Sequence, residues 1–197
     1  MTRSARKAVT LAHNRRLIVK ITTGFVGREQ PLIDLFVATF TASEGPDEGA
    51  LIGDLVRDLL AETPKDDIRV FCAEDEAHTI GAAVFTRLTY PEDPHTVFLL
   101  SPLAVAPERQ RQGIGQALLS HALGSLRSEG IQIAITYGDP AYYGRVGFSP
   151  ITEKQARAPL PLSFPHGWLG QPLTEEQMPD LQGPATCVPA LNRSDVW

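Results

Sequence analysis

The chain has 197 residues, 43% of them hydrophobic, and a formal net charge of −5 at pH 7. This length suits one domain, and no apolar run approaches the roughly 20 residues that a membrane span needs. Cys72 and Cys187 lie far apart and have no zinc-ligand spacing. We therefore predict free thiols, no metal site and a cytoplasmic location.

Charge is unevenly distributed along the chain. The first 28 residues hold seven of the 18 Lys and Arg residues and neither Asp nor Glu. The remainder carries 11 basic against 23 acidic side chains, a balance of 11 − 23 = −12. An acidic body argues against nucleic-acid binding. We interpret residues 1–16 as a solvated, partly disordered basic segment. A transit peptide, a phosphate-binding arm and a salt-dependent nucleic-acid contact are the alternatives.

The first half of the chain alternates between strand-like and helical patterns. Apolar residues at helical spacing mark two helices, and a polar turn between two β-rich runs predicts a hairpin. In chain order we predict a strand over 17–22, a helix beginning at Pro31, a loop over 43–49, a helix over 51–60, and strands over 68–73 and 79–88.

The second half continues with a strand over 96–105, a helix over 113–129, a strand over 131–136 and a short helix that begins at Pro140 and ends at Gly147. Pro102 lies inside the first of these strands, so pairing must break there at a bulge or an edge. Eight of the 16 prolines fall in the last 50 residues, which predicts an irregular tail. The element order predicts one α/β domain with a mixed sheet.

The segment 105–115, Val-Ala-Pro-Glu-Arg-Gln-Arg-Gln-Gly-Ile-Gly, carries the clearest chemical signal. It follows a strand and opens a helix, so its backbone N–H groups form an anion cradle at the positive end of that helix. Arg109 and Arg111 flank the cradle, which suits a pyrophosphate. A Gly-x-Gly alone is weak evidence, and the segment has neither GxGxxG nor Gly-Lys-Ser/Thr.

The longer string is more specific. Val105-x-Pro followed by Gln110-x-x-Gly113-x-Gly115 resembles the acetyl-CoA signature of the GCN5-related N-acetyltransferase (GNAT) superfamily. The sequence from Tyr143 to Phe148, Tyr-Gly-Arg-Val-Gly-Phe, resembles the second signature of that superfamily. The segments Leu-Ser-Pro-Leu-Ala-Val (residues 100–105) and Gly-Asp-Pro-Ala-Tyr-Tyr (residues 138–143) are similar to sequences of the YhbS-type bacterial branch.

The resemblance implies a single-domain GNAT-like fold, in which a mixed central sheet with splayed parallel strands is flanked by helices and acyl-pantetheine lies between those strands. Residues 17–150 would form the acetyl-CoA-binding N-acetyltransferase domain. The Pro-rich extension 151–197 would complete the same domain and the acceptor pocket. The residues implied in cofactor binding are Leu103, Ala104, Val105, Gln110, Arg111, Gln112, Gly113, Ile114, Gly115, Gln116, Asp139, Tyr142 and Tyr143.

Tyr143 is the candidate general acid for the leaving thiolate, and Tyr142 is its competitor. The two side chains point about 100° apart on a helix, so only one should face the thioester. Asp139 is the expected N-cap of the following short helix. The strand 96–105 has no carboxylate, and its polar alternatives are Thr96, Ser101 and the neighbouring His95. The acidic residues of loops and strand ends are Glu44, Asp47, Glu48, Glu74, Asp75 and Asp139. The general base is unassigned, and a relay through water is a further alternative.

The implied reaction moves an acetyl group from acetyl-CoA to a primary amine of a small molecule or peptide. The alternative is an acyl-CoA-binding regulatory protein without efficient turnover. Phe164, Trp168 and Trp197 are candidate walls of the acceptor pocket, although ordinary packing explains them equally well. We expect acetyl-CoA and an amine as partners, with neither metal nor membrane nor nucleic acid, and the sequence is compatible with a homodimer.

Overall fold

The computed structural model describes residues 19–76, 78–174 and 177–197. The basic segment 1–16 lies outside the described residues, as do Leu17 and Ile18 of the first predicted strand. The helices are α1 (Glu29–Glu44), α2 (Pro46–Glu62), α3 (Ile114–Ser128) and α4 (Pro140–Tyr143). The strands are β1 (Lys20–Thr23), β2 (Ile68–Asp75), β3 (His78–Leu88), β4 (Val97–Val105), β5 (Ile133–Tyr137), β6 (Ser149–Pro150) and β7 (Trp168–Pro172). No helix in these ranges is long and apolar enough to cross a membrane.

The predicted loop over 43–49 is wrong, because α1 continues to Glu44 and α2 begins at Pro46. Gly45 alone separates them, with φ of 104°, a left-handed value that favours glycine. The helices also pack closely, since a Cβ on Gly49 would lie 2.0 Å from Thr41 Oγ1.

The start of α1 differs from the prediction as well, because Pro31 occupies its third position rather than its first. There the missing N–H costs no intrahelical bond.

The strands form a seven-stranded mixed sheet in the order β1-β2-β3-β4-β5-β7-β6. The predicted hairpin is confirmed as the antiparallel pair β2–β3. The predicted break at Pro102 is also confirmed, because the β3–β4 register shifts between Ala83, opposite Leu103, and Phe85, opposite Leu100. The bulge removes the need for a ladder hydrogen bond from the proline.

One parallel pair in the sheet opens partway along its length. β4 and β5 pair from Val97 with Ile133 as far as Leu100 with Thr136. Beyond Leu100, β4 continues to Val105 beside β3, while β5 ends at Tyr137. A gap therefore opens between two neighbouring strands at their carboxyl ends, where open α/β sheets place their ligands.

Both faces of the sheet are covered by apolar layers. α1, α2 and much of the tail pack on one face, and α3 packs on the other. The tail is less irregular than predicted, because β7 pairs antiparallel with β5 and closes the sheet beside it. Trp168 on β7 is fully buried, and its indole N–H donates to the Ala156 carbonyl at 2.8 Å. β7 has only five residues, so it fits between the prolines of the tail.

Candidate functional site

A cavity of about 1040 Å³ occupies the gap between β4 and β5. Its walls come from the α1–α2 junction, the far half of β4, the start of α3, the segment after β5 and the tail. Of the thirteen residues predicted for cofactor binding, the lining includes Leu103, Val105, Gln110, Arg111, Gly113, Ile114, Gly115, Gln116, Asp139, Tyr142 and Tyr143.

The two remaining predicted residues, Ala104 and Gln112, do not belong to the lining. Ala104 is buried in the core, as alternation along a strand requires for a residue between Leu103 and Val105. The Gln112 side-chain amide donates back to the Glu108 carbonyl at 3.3 Å. Roles for their backbone groups stay predictions.

The predicted anion cradle has the backbone of a phosphate-binding turn. Gly113 is the N-cap of α3 with φ of 81°, and Arg111 also has a left-handed φ of 60°. The first intrahelical hydrogen bond runs from Ala117 N–H to the Gly113 carbonyl at 3.0 Å. The N–H groups of residues 114–116 therefore precede the helical ladder and are available to an anion at the positive end of the helix.

Tyr142 and Tyr143 occupy different parts of the cavity. Their rings meet edge to face, with centroids 5.1 Å apart. The Tyr142 hydroxyl lies over the first turn of α3, since a Cβ on Gly115 would lie 2.1 Å from it. The Tyr143 ring instead packs against Gly138, where a Cβ would lie 2.8 Å from Cε2. The Tyr142 hydroxyl thus contacts the start of α3, whereas the Tyr143 ring contacts the turn after β5. Both tyrosines line the cavity, and which of them faces the thioester stays a prediction.

Tyr143 lies next to the point at which β4 and β5 separate. Burial raises its pKa to about 12, and a hydrogen bond with the Thr136 side chain acts in the opposite direction. The buried Thr136 hydroxyl also donates to the Leu100 carbonyl at 3.1 Å, across the last pair of the two strands. Tyr143 is therefore protonated at neutral pH and lines the cavity beside the last paired residues of β4 and β5. Its role as general acid stays a prediction.

Asp139 has the capping role that the sequence predicts. Its carboxylate accepts a hydrogen bond from the Ala141 N–H at 2.9 Å and begins α4, while Pro140 occupies the first helical position. The same residue lines the cavity. Its carboxylate is thereby held at the turn between β5 and α4.

Two carboxylates that the sequence left unassigned enter the cavity. Glu44 ends α1, Glu48 lies in the first turn of α2, and both line the cavity. Burial raises the pKa of Glu48, and the charges of Glu44 and Asp195 raise it further. The signal that was available in the sequence is Gly45-Pro46, because glycine just past one helix and proline just inside the next mark a junction rather than a loop.

Two other acidic candidates form ion pairs. Asp75 pairs with Arg109, and Glu74 pairs with Arg28. In the part of the chain that the structure describes, no group of three or more His, Cys, Asp or Glu side chains is placed to hold a metal ion. Cys72 and Cys187 are free thiols.

Of the three tail aromatics named as candidate walls of the pocket, one lines the cavity. Ser163, Phe164 and Val196 line the cavity, whereas Trp168 and Trp197 are buried in the core beside it. Tyr137 anchors this wall, because its hydroxyl lies 3.0 Å from Ser163 Oγ and accepts a hydrogen bond from the Phe164 N–H. Phe164 keeps 54% of its surface exposed.

Comparison with known proteins relates this architecture to acetyltransferases. Residues 66–150 match the family model of the acetyltransferase (GNAT) domain. The chain is 35% identical over 130 residues to the uncharacterized N-acetyltransferase YjhQ of Escherichia coli K12, covering 64% of this chain and 72% of that protein. It is 28% identical over 118 residues to the uncharacterized N-acetyltransferase YhbS of the same strain, covering 60% and 68%.

Solved structures show the same fold. The crystal structure of E. coli YhbS in complex with CoA aligns with a TM-score of 0.74 at 23% identity, covering 90% of this chain and 94% of that one. A GNAT family acetyltransferase from Brucella melitensis in complex with acetyl-CoA aligns with a TM-score of 0.64 at 22% identity, covering 88% and 98%. The chain belongs to the GNAT family, in a YhbS-like branch, and is an N-acetyltransferase.

Proposed function

We propose that this GNAT acetyltransferase binds acetyl-CoA at the α3 cradle and transfers the acetyl group directly to a primary amine whose carrier bears positive charge. The observation that carries the proposal is the polarity of the cavity. Three arginines, Arg109, Arg111 and Arg145, line the cavity from the segment before α3 and the turn after α4, and Glu44 and Glu48 line it from the α1–α2 junction. A polyanionic cofactor and a cationic acceptor fit these two groups of residues by charge, and we call them the cofactor end and the acceptor end of the cavity.

The cofactor part of the proposal rests on the cradle and on the gap between the strands. GNAT enzymes use acetyl-CoA as co-substrate, and both aligned crystal structures contain CoA or acetyl-CoA. Here the N–H groups of residues 114–116 suit the pyrophosphate. Between Leu100 and Val105, β4 has no β5 residue beside it, so its backbone is open to the amide groups of a pantetheine arm.

The chemistry then follows from the groups at the opening of the two strands. The amine lone pair forms the C–N bond, the thioester C–S bond breaks, and the sulfur leaves as a thiolate. A β4 amide between Leu103 and Val105 polarises the carbonyl, as an oxyanion site does. Tyr143, which stays protonated at neutral pH, donates its hydroxyl proton toward the departing sulfur.

The acceptor part of the proposal rests on Glu48 and Glu44. Their carboxylates attract an ammonium group, and Glu48 is half-buried whereas Glu44 is exposed, so the stronger charge interaction is expected at Glu48. Burial and like charge raise the pKa of Glu48, which brings this carboxylate closer to the operating range of a general base. Glu48 is therefore our candidate to take the proton from the attacking amine, directly or through water.

The test is a thiol-release assay with acetyl-CoA over matched cationic and neutral amines, including polyamines, aminoglycosides and basic peptides. We expect cationic acceptors to be preferred, and Glu48→Gln to lower their kcat/KM by about tenfold, roughly 1.4 kcal/mol of lost stabilisation. In the native enzyme, activity should fall as the pH falls through the raised pKa of Glu48, because protonation removes both the charge and the base. This fall in activity towards acidic pH should be absent from Glu48→Gln.

Glu62→Gln is the matched control, because Glu62 is exposed at the opposite end of α2. It should leave the acceptor kinetics unchanged. Equal use of neutral and cationic amines by both the native enzyme and Glu48→Gln would refute the acceptor class. Binding of CoA without thiol release for any amine would favour the regulatory alternative.

A cytoplasmic location remains part of the proposal, supported by the two free thiols.

A further inference from the structure

The three arginines at the cofactor end of the cavity differ in their surroundings. Arg109 forms an ion pair with Asp75 on β2. Arg111 belongs to the cradle, where its own backbone has a left-handed φ. Arg145 lies in the short 3-10 turn Gly144–Val146 that follows α4, with an exposed side chain. Among the residues that the structure describes, no carboxylate lies within 4.0 Å of the Arg111 or Arg145 guanidinium.

Two observations relate Arg145 to the cradle. The Tyr142 hydroxyl rests over Gly115, within the first turn of α3. Burial raises the pKa of Tyr142, and the nearby Arg145 guanidinium acts to lower it, so that cation is close enough to act on the same hydroxyl. Arg145 also lines the cavity. Arg145 therefore lines the same cavity as the anion cradle, from the turn after α4, the helix whose Tyr142 hydroxyl contacts the first turn of α3.

We propose that Arg145 binds the 3′-phosphate of coenzyme A and so lets the enzyme distinguish coenzyme A from its 3′-dephosphorylated form. This inference rests on the proposed binding of acetyl-CoA. The main-chain N–H groups of the cradle are suited to the pyrophosphate, which leaves the ribose phosphate to be bound by a side chain. A guanidinium without an acidic partner suits that task, because its planar donors match phosphate oxygens bidentately.

The other charged groups at this end are less suited to the 3′-phosphate. The charge of Arg109 is offset by Asp75. Arg111 directly flanks the backbone groups assigned to the pyrophosphate, so its charge should act on CoA and dephospho-CoA alike. The Asp139 carboxylate also faces the cavity, but it caps α4 through the Ala141 N–H and would repel any phosphate brought against it.

The test compares the dissociation constants of CoA and 3′-dephospho-CoA by calorimetry at low ionic strength, where an exposed cation is least screened. The native protein should bind CoA more tightly. Arg145→Gln should raise the dissociation constant of CoA about tenfold, which is the effect of one charge-assisted contact at an exposed site. It should leave the dissociation constant of dephospho-CoA unchanged. Arg145→Lys should restore part of the difference, because it keeps the charge but loses the bidentate geometry.

Two further variants make the result specific. Arg111→Gln should raise the dissociation constants of both ligands by a similar factor. Arg127→Gln, in the exposed last turn of α3 and away from the cavity, should change neither. The proposal is overturned if Arg145→Gln weakens both ligands equally or neither, or if the discrimination is lost in Arg111→Gln instead. A native protein that binds neither ligand would overturn the proposed function itself, whereas binding of both with equal affinity would reject this inference alone.

Discussion

The two ends of the cavity are built in different ways. The cofactor end is made largely of backbone, with the N–H groups of one turn and helix start arranged by Gly113 and by the left-handed Arg111. The proposed acceptor end is lined by side chains from segments far apart in sequence, with Glu48 from α2 and Phe164 and Val196 from the tail. Backbone recognition needs particular conformations, whereas side-chain recognition needs particular residues.

This contrast has a functional consequence. In the proposed function, a cradle of main-chain donors binds the part of the cofactor that is the same in every turnover, and it tolerates few backbone changes. The proposed acceptor end can change its side chains without altering the fold, so we assign acceptor specificity to it. Substitutions at the two ends should therefore affect different measurements: the affinity for CoA at one end and the KM for the acceptor at the other.

The largest effect should come from Gly113→Asp at the cofactor end. A carboxylate at roughly 5 Å from a phosphate at an effective dielectric constant of about 20 costs about 3 kcal/mol, which weakens CoA binding by roughly 150-fold. A Cβ at Gly113 meets no atom within 4 Å, so steric overlap is not the cause. Calorimetry of CoA binding checks the prediction.

Gly113→Asn is the control for this change. Asn and Asp visit the left-handed region at comparable cost, so the pair separates charge from the strain of φ at 81°. We expect Gly113→Asn to lose far less affinity than Gly113→Asp. Equal CoA affinity in a folded Gly113→Asp protein would show that the pyrophosphate is not held at this turn.

Between the two ends, Tyr143→Phe should lower kcat without changing the affinity for CoA. We expect about a hundredfold, the low end of the 10²–10⁴ range for a general acid, because a phenol with a pKa of about 12 is a weak proton donor. Steady-state kinetics with a good acceptor, together with CoA calorimetry, test the prediction, provided that chemistry limits turnover.

Tyr142→Phe is the matched comparison, since its hydroxyl lies over α3 rather than at the opening between the strands. It should alter CoA binding slightly and spare kcat. The reverse pattern, with kcat damaged only in Tyr142→Phe, would transfer the acid role to Tyr142. Full turnover in both variants would show that the thiolate takes its proton from water.

The smallest effect should follow Phe164→Ala at the acceptor end. The ring is 54% exposed, so its loss should leave the thermal midpoint nearly unchanged while raising the acceptor KM by about three- to fivefold, roughly 0.6–1 kcal/mol of lost contact. Trp168→Ala is the contrasting change, because this buried ring should cost about 3–5 kcal/mol of stability. A raised Kd for CoA in Phe164→Ala, with acceptor KM unchanged, would contradict the division of the cavity.

The acceptor end also shows where sequence reasoning failed. Residues 43–49 are polar and contain Gly45 and Pro46, which is typical of a loop. They form a helix junction, because one glycine makes the turn and the small Gly49 lets α2 approach α1. Treating the segment as a loop left Glu44 and Glu48 without a position. The tail was similarly expected to be irregular. It forms strand β7 and buries Trp168 because β7 pairs with β5, which lies more than thirty residues earlier in the chain.

The sequence by itself determined the elements whose signals are local: the hairpin, the break at Pro102, the glycine-opened start of α3 and the cap at Asp139. It also determined the family, because both signatures are short continuous strings. The tertiary structure alone decided which carboxylates face the cavity, which tail aromatics are buried and which arginines are paired with an acid. These properties depend on contacts between residues distant in sequence, and such contacts leave no periodic or local pattern to be found in the chain.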